Sequence, residues 1–265
     1  MRRSPTKLHQ VMITDEGVGR EAMTDLLHRN IESFRSTYPF AEYRCYGNEE
    51  ISDLIRENYP TMVLDAYRAL KPYAYKADLA RYCIVNKFGG LYADLSYLHF
   101  RPISFEEPIK MVVFHDKRGG ALYSTSNAIF YADANNCVLK LAIERIVKNF
   151  NEKFYGLSSL DPTGPNLFGK MISDVSDWKS MVVGERTLLN VDRFGWENTL
   201  FLMPTGELVA LRNKTQSSRI SDLIDKGGND YEVMWRERTI WGEPRQRKLV
   251  RKLTRLRAKL KPGGI

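Results

Sequence analysis

A helix, a tight turn and a strand are encoded by residues 76–96, which read KADLARYCIVNKFGGLYADLS. Residues 73–88 are apolar on most sides, so the helix predicted there should be buried. Two glycines, Gly89 and Gly90, end this helix and let the chain reverse tightly. The alternation of side chains after them is typical of a strand.

Three charged side chains are predicted to meet where this strand ends. Asp78 and Arg81 are three positions apart on the helix, so their side chains share a face. Asp94 lies on the same side of the strand as Tyr92 and reaches the sheet edge where α/β proteins usually bind ligands. We therefore expect the acid and the arginine of the helix to converge with Asp94.

The rest of the chain alternates between strand-like and helix-like periodicity. The strand-like segments are 7–14, 41–47, 109–116, 127–133, 181–190 and 199–212, and the helix-like segments are 20–39, 48–60, 136–154 and 163–172. Such alternation in one compact chain predicts an α/β sandwich. We expect one domain over residues 1–242, built on a mixed, mostly parallel sheet.

Charge and cysteine content narrow the classes of function. The 265 residues carry a formal net charge of +8, but residues 245–265 hold nine basic residues and no acid, so the remainder is essentially neutral. A nucleic-acid-binding surface is therefore not expected on the domain.

The three cysteines show no paired spacing, which indicates reduced thiols in a cytosolic protein. No apolar run reaches the roughly 18 residues that a membrane-spanning helix needs.

The C-terminal segment, residues 243–265, predicts a separate basic amphipathic helix. Leu249, Leu253, Leu256 and Leu260 recur at helical spacing, and basic residues cover the other faces. This composition favours a helix lying on an anionic membrane surface. Packing of the leucines on the domain is an alternative, and so is binding to RNA or to a calmodulin-like protein.

These motifs, in this order, resemble glycosyltransferase family 32, the DXD sugar-binding family of mannosyltransferases and capsular polysaccharide transferases. Its pattern is an Ala-Asp-x-x-Arg-Tyr helix, then Gly-Gly-x-Tyr, then x-Asp-x-Asp. The matching residues here are Ala77, Asp78, Arg81, Tyr82, Gly89, Gly90, Tyr92 and Asp94. Segments KLHQV (7–11), NIESFRSTYPFAEYRCYGNEE (30–50) and DPTGPNLF (161–168) resemble further family landmarks, so the resemblance covers roughly residues 7–175.

The resemblance implies a GT-A fold, an α/β sandwich that binds a nucleotide sugar linked to UDP or GDP. It implies that Asp78 and Arg81 hold hydroxyls of the donor sugar, and that Asp94 faces the ribose and the metal-bound diphosphate. The alternatives are an ion pair that only orients the helix and an acid that only ends a strand. Further donor contacts are expected from Gly90, Tyr92, Ser96 and Trp235.

Ser96 departs from the family pattern, because it stands where a second acid would complete the Asp-x-Asp motif. Mg²⁺ and Mn²⁺ prefer carboxylate oxygens, so a neutral hydroxyl weakens the attraction for either ion. We expect Asp94 to hold Mn²⁺ or Mg²⁺ with the diphosphate and a late ligand, Asp230. Cationic side chains in place of the metal, or binding without catalysis, are the alternatives.

The function predicted from these observations is that of a retaining glycosyltransferase. It moves a hexose from a nucleotide sugar to a surface polysaccharide or a lipid-linked glycan, in the cytoplasm or peripherally at the inner face of the membrane. No general base is assigned; Asp133 and Asp161 are candidate acceptor contacts, although turn positions explain both. The competing hypothesis is a catalytically silent protein that binds nucleotide sugars or serves as a membrane scaffold.

Overall fold

The computed structural model describes residues 2–14, 23–117, 123–175, 177–191, 196–213 and 229–242. Its strands are β1 (Arg2–Arg3), β2 (Lys7–Val11), β3 (Glu42–Tyr46), β4 (Gly90–Ala93), β5 (Tyr97–His99), β6 (Phe105–Glu106), β7 (Met111–Asp116), β8 (Thr125–Ala132), β9 (Met181–Val191), β10 (Trp196–Leu202) and β11 (Leu208–Arg212). Its helices are α1 (Asp25–Thr37), α2 (Asn48–Asn58), α3 (Thr61–Ala69), α4 (Tyr73–Phe88), α5 (Cys137–Glu152), α6 (Pro165–Ser173) and α7 (Tyr231–Arg236).

Nine of the described strands form one mixed sheet in the order β3-β2-β4-β8-β7-β9-β10-β11-β5. The α/β class and the mixed sheet are confirmed, but the expectation of mostly parallel strands is wrong. Only β2–β3, β2–β4 and β7–β9 are parallel; the other five pairings are antiparallel. The short connections from β9 to β10 and from β10 to β11 account for two of these five pairings, because parallel neighbours need a long crossover.

Helices cover both faces of the sheet. Tyr92 of β4 and Phe130 of β8 pack in the cluster formed with α2 to α6. Their neighbours Leu91 and Ile129 point the other way, into the cluster that includes Phe34 of α1. In α4, nine of the sixteen residues are buried, as its apolar composition predicts.

Several local features differ from the sequence predictions. The strand after the glycine pair ends at Ala93, and the chain turns before β5 begins at Tyr97. Segment 199–212 forms two strands rather than one, with a turn between them. Helices α3 and α7 were not predicted.

The predicted tail helix, residues 243–265, lies outside the described residues, so it and its membrane contact stay predictions. Among the described helices, none has the length and apolar character needed to cross a bilayer.

Gly90, the first residue of β4, allows this strand to pack tightly against β2. Gly90 has a φ of +117°, and a Cβ atom there would lie 2.6 Å from the carbonyl oxygen of Lys7. A side chain would therefore both strain the backbone and push β4 away from β2. The position of everything that follows β4, Asp94 included, depends on this close approach.

We predict that Gly90→Ala lowers the free energy of unfolding by about 3 kcal/mol or more, from backbone strain and steric overlap together. Gly206→Ala is the matched control: Gly206 also has a positive φ, +82°, but a Cβ atom there would meet nothing within 4 Å. Strain alone should cost the control about 1–2 kcal/mol. Urea unfolding of both variants measures the difference, and equal losses would contradict the packing argument.

Candidate active site

A cleft of about 470 Å³ opens at the carboxyl ends of β4 and β7, beside the first half of α4. This volume lies in the range of small-molecule sites. Helix α4, the ends of the central strands, the loop before α6 and the first residue of α7 supply its walls. The lining residues are Ala74, Tyr75, Asp78, Arg81, Asp94, Tyr97, Asp116, Ser126, Asn127, Ala128, Ser159, Leu160, Gly164, Pro165, Arg186 and Tyr231.

The guanidinium group of Arg81 links the two acids predicted to meet it. Its Nη1 lies 3.1 Å from Oδ1 of Asp94, and its Nη2 lies 3.3 Å from Oδ1 of Asp78. Nη1 also donates to the carbonyl oxygen of Asn127 at 2.7 Å, and Nε donates to that of Ala77 at 3.1 Å. The structure thus brings together the three charged residues that the sequence singles out.

Asp78 is buried in a network of donors. Oδ1 accepts a hydrogen bond from Nδ2 of Asn127 at 2.8 Å, and Oδ2 accepts one from Oγ1 of Thr163 at 2.7 Å. Burial raises the pKa of the Asp78 carboxyl above its ordinary value, and the charge of Arg81 and the two hydrogen bonds offset part of the rise. With three contacts made, this carboxylate has about one acceptor position left for a ligand.

Asp94 is the most accessible member of the cluster. It directly follows β4, and its backbone N–H donates to the carbonyl oxygen of Ala128 at 2.8 Å. Its Oδ1 accepts from the Tyr92 hydroxyl at 2.8 Å, and Oδ1 also faces Arg81. The side chain is 32% exposed, and these contacts from described residues all reach Oδ1. Oδ2 is therefore the atom best placed to meet a ligand.

A second charged pair lines the cleft and was missed by sequence reasoning. Arg186 Nη1 forms a short ion pair with Oδ2 of Asp116, and Arg186 also hydrogen bonds to the side chain of Tyr97. Burial raises the pKa of the Tyr97 phenol, so this hydroxyl stays protonated at neutral pH. Asp116 and Arg186 are 70 residues apart, and only the parallel pairing of β7 and β9 places them side by side.

The other predicted donor contacts do not line the cleft. Tyr92 is buried behind two residues of the cleft: its hydroxyl donates to Asp94, and the guanidinium of Arg81 lies over its ring. Gly90 lies within the sheet. Ser96 is in a turn, where its carbonyl oxygen accepts from the N–H of Asn213 at 2.8 Å. Trp235 donates from Nε1 to the carbonyl oxygen of Tyr155 at 2.7 Å.

Three further acids from the sequence analysis have other contacts. Asp230 caps α7, where its carboxylate accepts backbone hydrogen bonds at 2.8 and 3.2 Å, so the structure does not bring it to Asp94. The next residue, Tyr231, lines the cleft instead, with its ring 5.8 Å from that of Tyr75. Asp161 accepts hydrogen bonds within its own loop, and Asp133 contacts Tyr131 and an arginine outside the cleft.

The residues of the cleft fit a divalent cation only in part. Within the described residues, no group of three or more His, Cys, Asp or Glu side chains could hold a metal ion. Asp94 offers one carboxylate, and Ser96 does not reach the cleft. Mg²⁺ is commonly bound through one or two carboxylates together with substrate phosphates. The site therefore fits a cation that arrives with a diphosphate, and not a preformed cage of protein ligands.

Part of the chain that forms the cleft matches a known protein family. Residues 24–113 match the family described as "Glycosyltransferase sugar-binding region containing DXD motif". The match contains Asp78, Arg81 and Asp94, and it contains Ser96 at the position of the missing acid. Over this third of the chain, the match agrees with the family resemblance found in the sequence.

Part of the chain is also similar to a curated protein. The chain is 32% identical over 92 residues to an uncharacterized glycosyltransferase, L373, of Acanthamoeba polyphaga mimivirus. The aligned part is 34% of this chain and 35% of the relative, so the similarity spans about a third of each protein.

Two solved structures are also similar. The PaToxG glycosyltransferase is 12% identical with a TM-score of 0.48, over 64% of this chain and 69% of the other. The UDP-bound glycosyltransferase domain of the YGT toxin is 10% identical with a TM-score of 0.42, over 66% and 65%.

We predict that Arg81→Met lowers the free energy of unfolding by about 3–5 kcal/mol, because it leaves the buried Asp78 without its counter-charge. Arg56→Met is the matched control, since Arg56 and Asp53 form an exposed pair with the same three-residue spacing on α2. An exposed pair contributes about 0–1 kcal/mol. Chemical denaturation separates the two, and a small loss for both would show that the Arg81 network does not hold this part of the fold.

Proposed function

We propose that this chain, which carries a sugar-binding region of the DXD glycosyltransferase family in residues 24–113, transfers a hexose from a nucleotide-sugar donor to a glycan hydroxyl. The observation that carries the proposal is the position of Arg81 between Asp78 and Asp94 in a cleft of ligand size. A buried guanidinium and the two carboxylates that hold it together present donors and acceptors in a fixed geometry, and sugar hydroxyls require both.

The donor sugar is proposed to bind against α4. Arg81 would donate to its hydroxyls, and Asp78 would accept through its remaining lone pair. Asn127 and Thr163 support this arrangement indirectly, because their hydrogen bonds fix the Asp78 carboxylate. Preorganised groups of this kind lower the barrier because they need no rearrangement when charge develops.

The charge balance of the cleft supports a requirement for a cation. Its described lining carries three carboxylates (Asp78, Asp94 and Asp116) and two guanidinium groups (Arg81 and Arg186). Both arginines already face carboxylates, so a nucleoside diphosphate would add uncompensated negative charge. Mn²⁺ or Mg²⁺ held by Asp94 together with the diphosphate would supply the missing positive charge at the leaving group.

Retention of configuration follows from the resemblance to family 32. In a front-side displacement, the acceptor oxygen bonds to the anomeric carbon on the face that the diphosphate leaves. The bond from that carbon to the phosphate oxygen breaks, and the departing phosphate oxygen takes the hydroxyl proton. Such a step needs no protein nucleophile. The role of the chain is then to hold both substrates on one face of the sugar and to exclude water.

The acceptor is proposed to be a surface polysaccharide or a lipid-linked glycan, and the UDP or GDP group of the donor remains open. The nine basic residues of segment 245–265 support a peripheral position at the cytoplasmic face of an anionic membrane, where a lipid-linked acceptor is found.

A silent nucleotide-sugar-binding protein is the second candidate, and the observation that favours it is Ser96 in place of the second acid. Release of nucleoside diphosphate from UDP- and GDP-sugars, measured with and without Mn²⁺, distinguishes the two. Turnover supports the transferase. Donor binding without turnover supports the silent protein.

We predict that a UDP- or GDP-sugar with Mn²⁺ raises the melting temperature of the wild-type protein, and that Asp94→Asn removes most of this shift. Ligands that bind only the folded state stabilise it by mass action, and the variant lacks the charge that would attract the cation. A screen of donors by thermal unfolding, with and without Mn²⁺, makes the measurement.

Asp133→Asn is the control for Asp94→Asn. Asp133 also follows a strand, accepts from a tyrosine two residues earlier and faces an arginine, and it is 33% exposed, but it does not line the cleft. Its variant should respond like the wild type. Equal shifts for Asp94→Asn and Asp133→Asn would exclude Asp94 from the donor site.

A further inference from the structure

The cleft contains two Asp–Arg pairs, and the proposed donor site uses only one of them. The second pair, Asp116 and Arg186, lies two and three strands along the sheet from β4. The two residues are direct partners in the parallel ladder of β7 and β9, so their side chains stand next to each other. Their side chains are 14% and 17% exposed, and both line the cleft.

A neighbouring ion pair, formed by the residue just after β7 and a residue of β9, shows that the position of Asp116 and Arg186 is specific. Lys117 and Glu185 form an ion pair of 2.7 Å, but their side chains are 52% and 44% exposed and do not line the cleft. Stabilisation of the β7–β9 ladder alone would be served equally well by a pair in the solvent. The largely buried pair instead faces the space where a substrate of the α4 site would extend.

Tyr97 connects the second pair to the first. Its hydroxyl hydrogen bonds to Arg186, and Asp94 and Arg186 both act electrostatically on its phenol. Arg81, Asp94, Tyr97 and the second pair all line the same cleft. A ligand that occupies the α4 end meets Asp116 and Arg186 at the other end of the same cleft.

The chemistry of the pair indicates what it binds. A carboxylate only accepts hydrogen bonds and a guanidinium only donates them, so together they match two neighbouring hydroxyl groups. The pair has no net formal charge, which makes it a poor site for a diphosphate or for a strongly charged acceptor. Neutral sugars carry adjacent hydroxyls and no charge.

We propose that Asp116 and Arg186 form the acceptor subsite and bind adjacent hydroxyls of a neutral sugar residue, which places the attacking hydroxyl near the donor at Arg81. This proposal rests on the transferase function proposed above. It assigns the acceptor end of the cleft to a sugar and not to a protein side chain or a lipid headgroup.

The test uses the full chain, the nucleotide sugar with the largest thermal shift, and the methyl glycosides of glucose, galactose and mannose as acceptors. In Asp116→Asn, the acceptor KM should rise about ten-fold or more, the effect of losing hydrogen bonds to a charged group. The donor-induced shift in melting temperature should equal that of the wild type. Glu185→Gln, which alters the solvent-facing pair of the same ladder, should leave the acceptor KM unchanged.

A double variant, Asp116→Asn with Arg186→Gln, covers the case in which an unpaired Arg186 prevents folding, because it keeps the pair neutral. It should show the same rise in acceptor KM. The proposal is overturned if either variant loses the donor-induced shift in proportion to the rise in KM, since the pair would then bind the donor.

Two further outcomes also overturn the proposal. If none of the three glycosides increases the release of nucleoside diphosphate by the wild-type protein, the subsite does not bind a neutral sugar. A wild-type protein with no donor-induced shift at all would refute the transferase function itself, and this result is distinct from a failure confined to the acceptor subsite.

Discussion

The buried guanidinium of Arg81 is the interaction on which this site depends. It brings a positive charge into the protein interior, and Asp78 and Asp94 compensate it from two different elements. A buried charge is tolerated only when it is paired and hydrogen bonded. The pairing therefore ties α4 to the end of β4. Whatever the cleft binds meets an arginine whose position is set before the ligand arrives.

The fold delivers these groups through backbone constraints more than through loops. The glycine pair lets β4 pack directly against β2, and the antiparallel neighbour β8 brings Asn127 to the same edge. The parallel pairing of β7 with β9 then adds Asp116 and Arg186. Four central strands thus place polar side chains along one cleft, and a rigid sheet holds them in register. Sites supported by regular elements keep their geometry better than sites on free loops.

Local patterns predicted the half of the site that is encoded in one stretch of sequence. The helical spacing of Asp78 and Arg81 and the strand position of Asp94 follow from the two periodicities, and the structure brings the three together. Asp116 and Arg186 could not be found in this way, since their pairing depends on strand order. The sheet was expected to be mostly parallel because helices and strands alternate along the chain, but five of its eight pairings are antiparallel. Trp235 and Asp230 looked like ligands because they are chemically suited, yet tertiary packing uses both to anchor and cap α7.

A crystal structure of the protein with its nucleotide-sugar donor and Mn²⁺ tests the central claim most directly. The account predicts that the sugar lies within hydrogen-bonding distance of Arg81, with the diphosphate next to Oδ2 of Asp94 and the Arg81 contacts to both acids intact. Electron density for the donor in another part of the molecule, or an Asp94 side chain turned into bulk solvent away from Arg81, would contradict it.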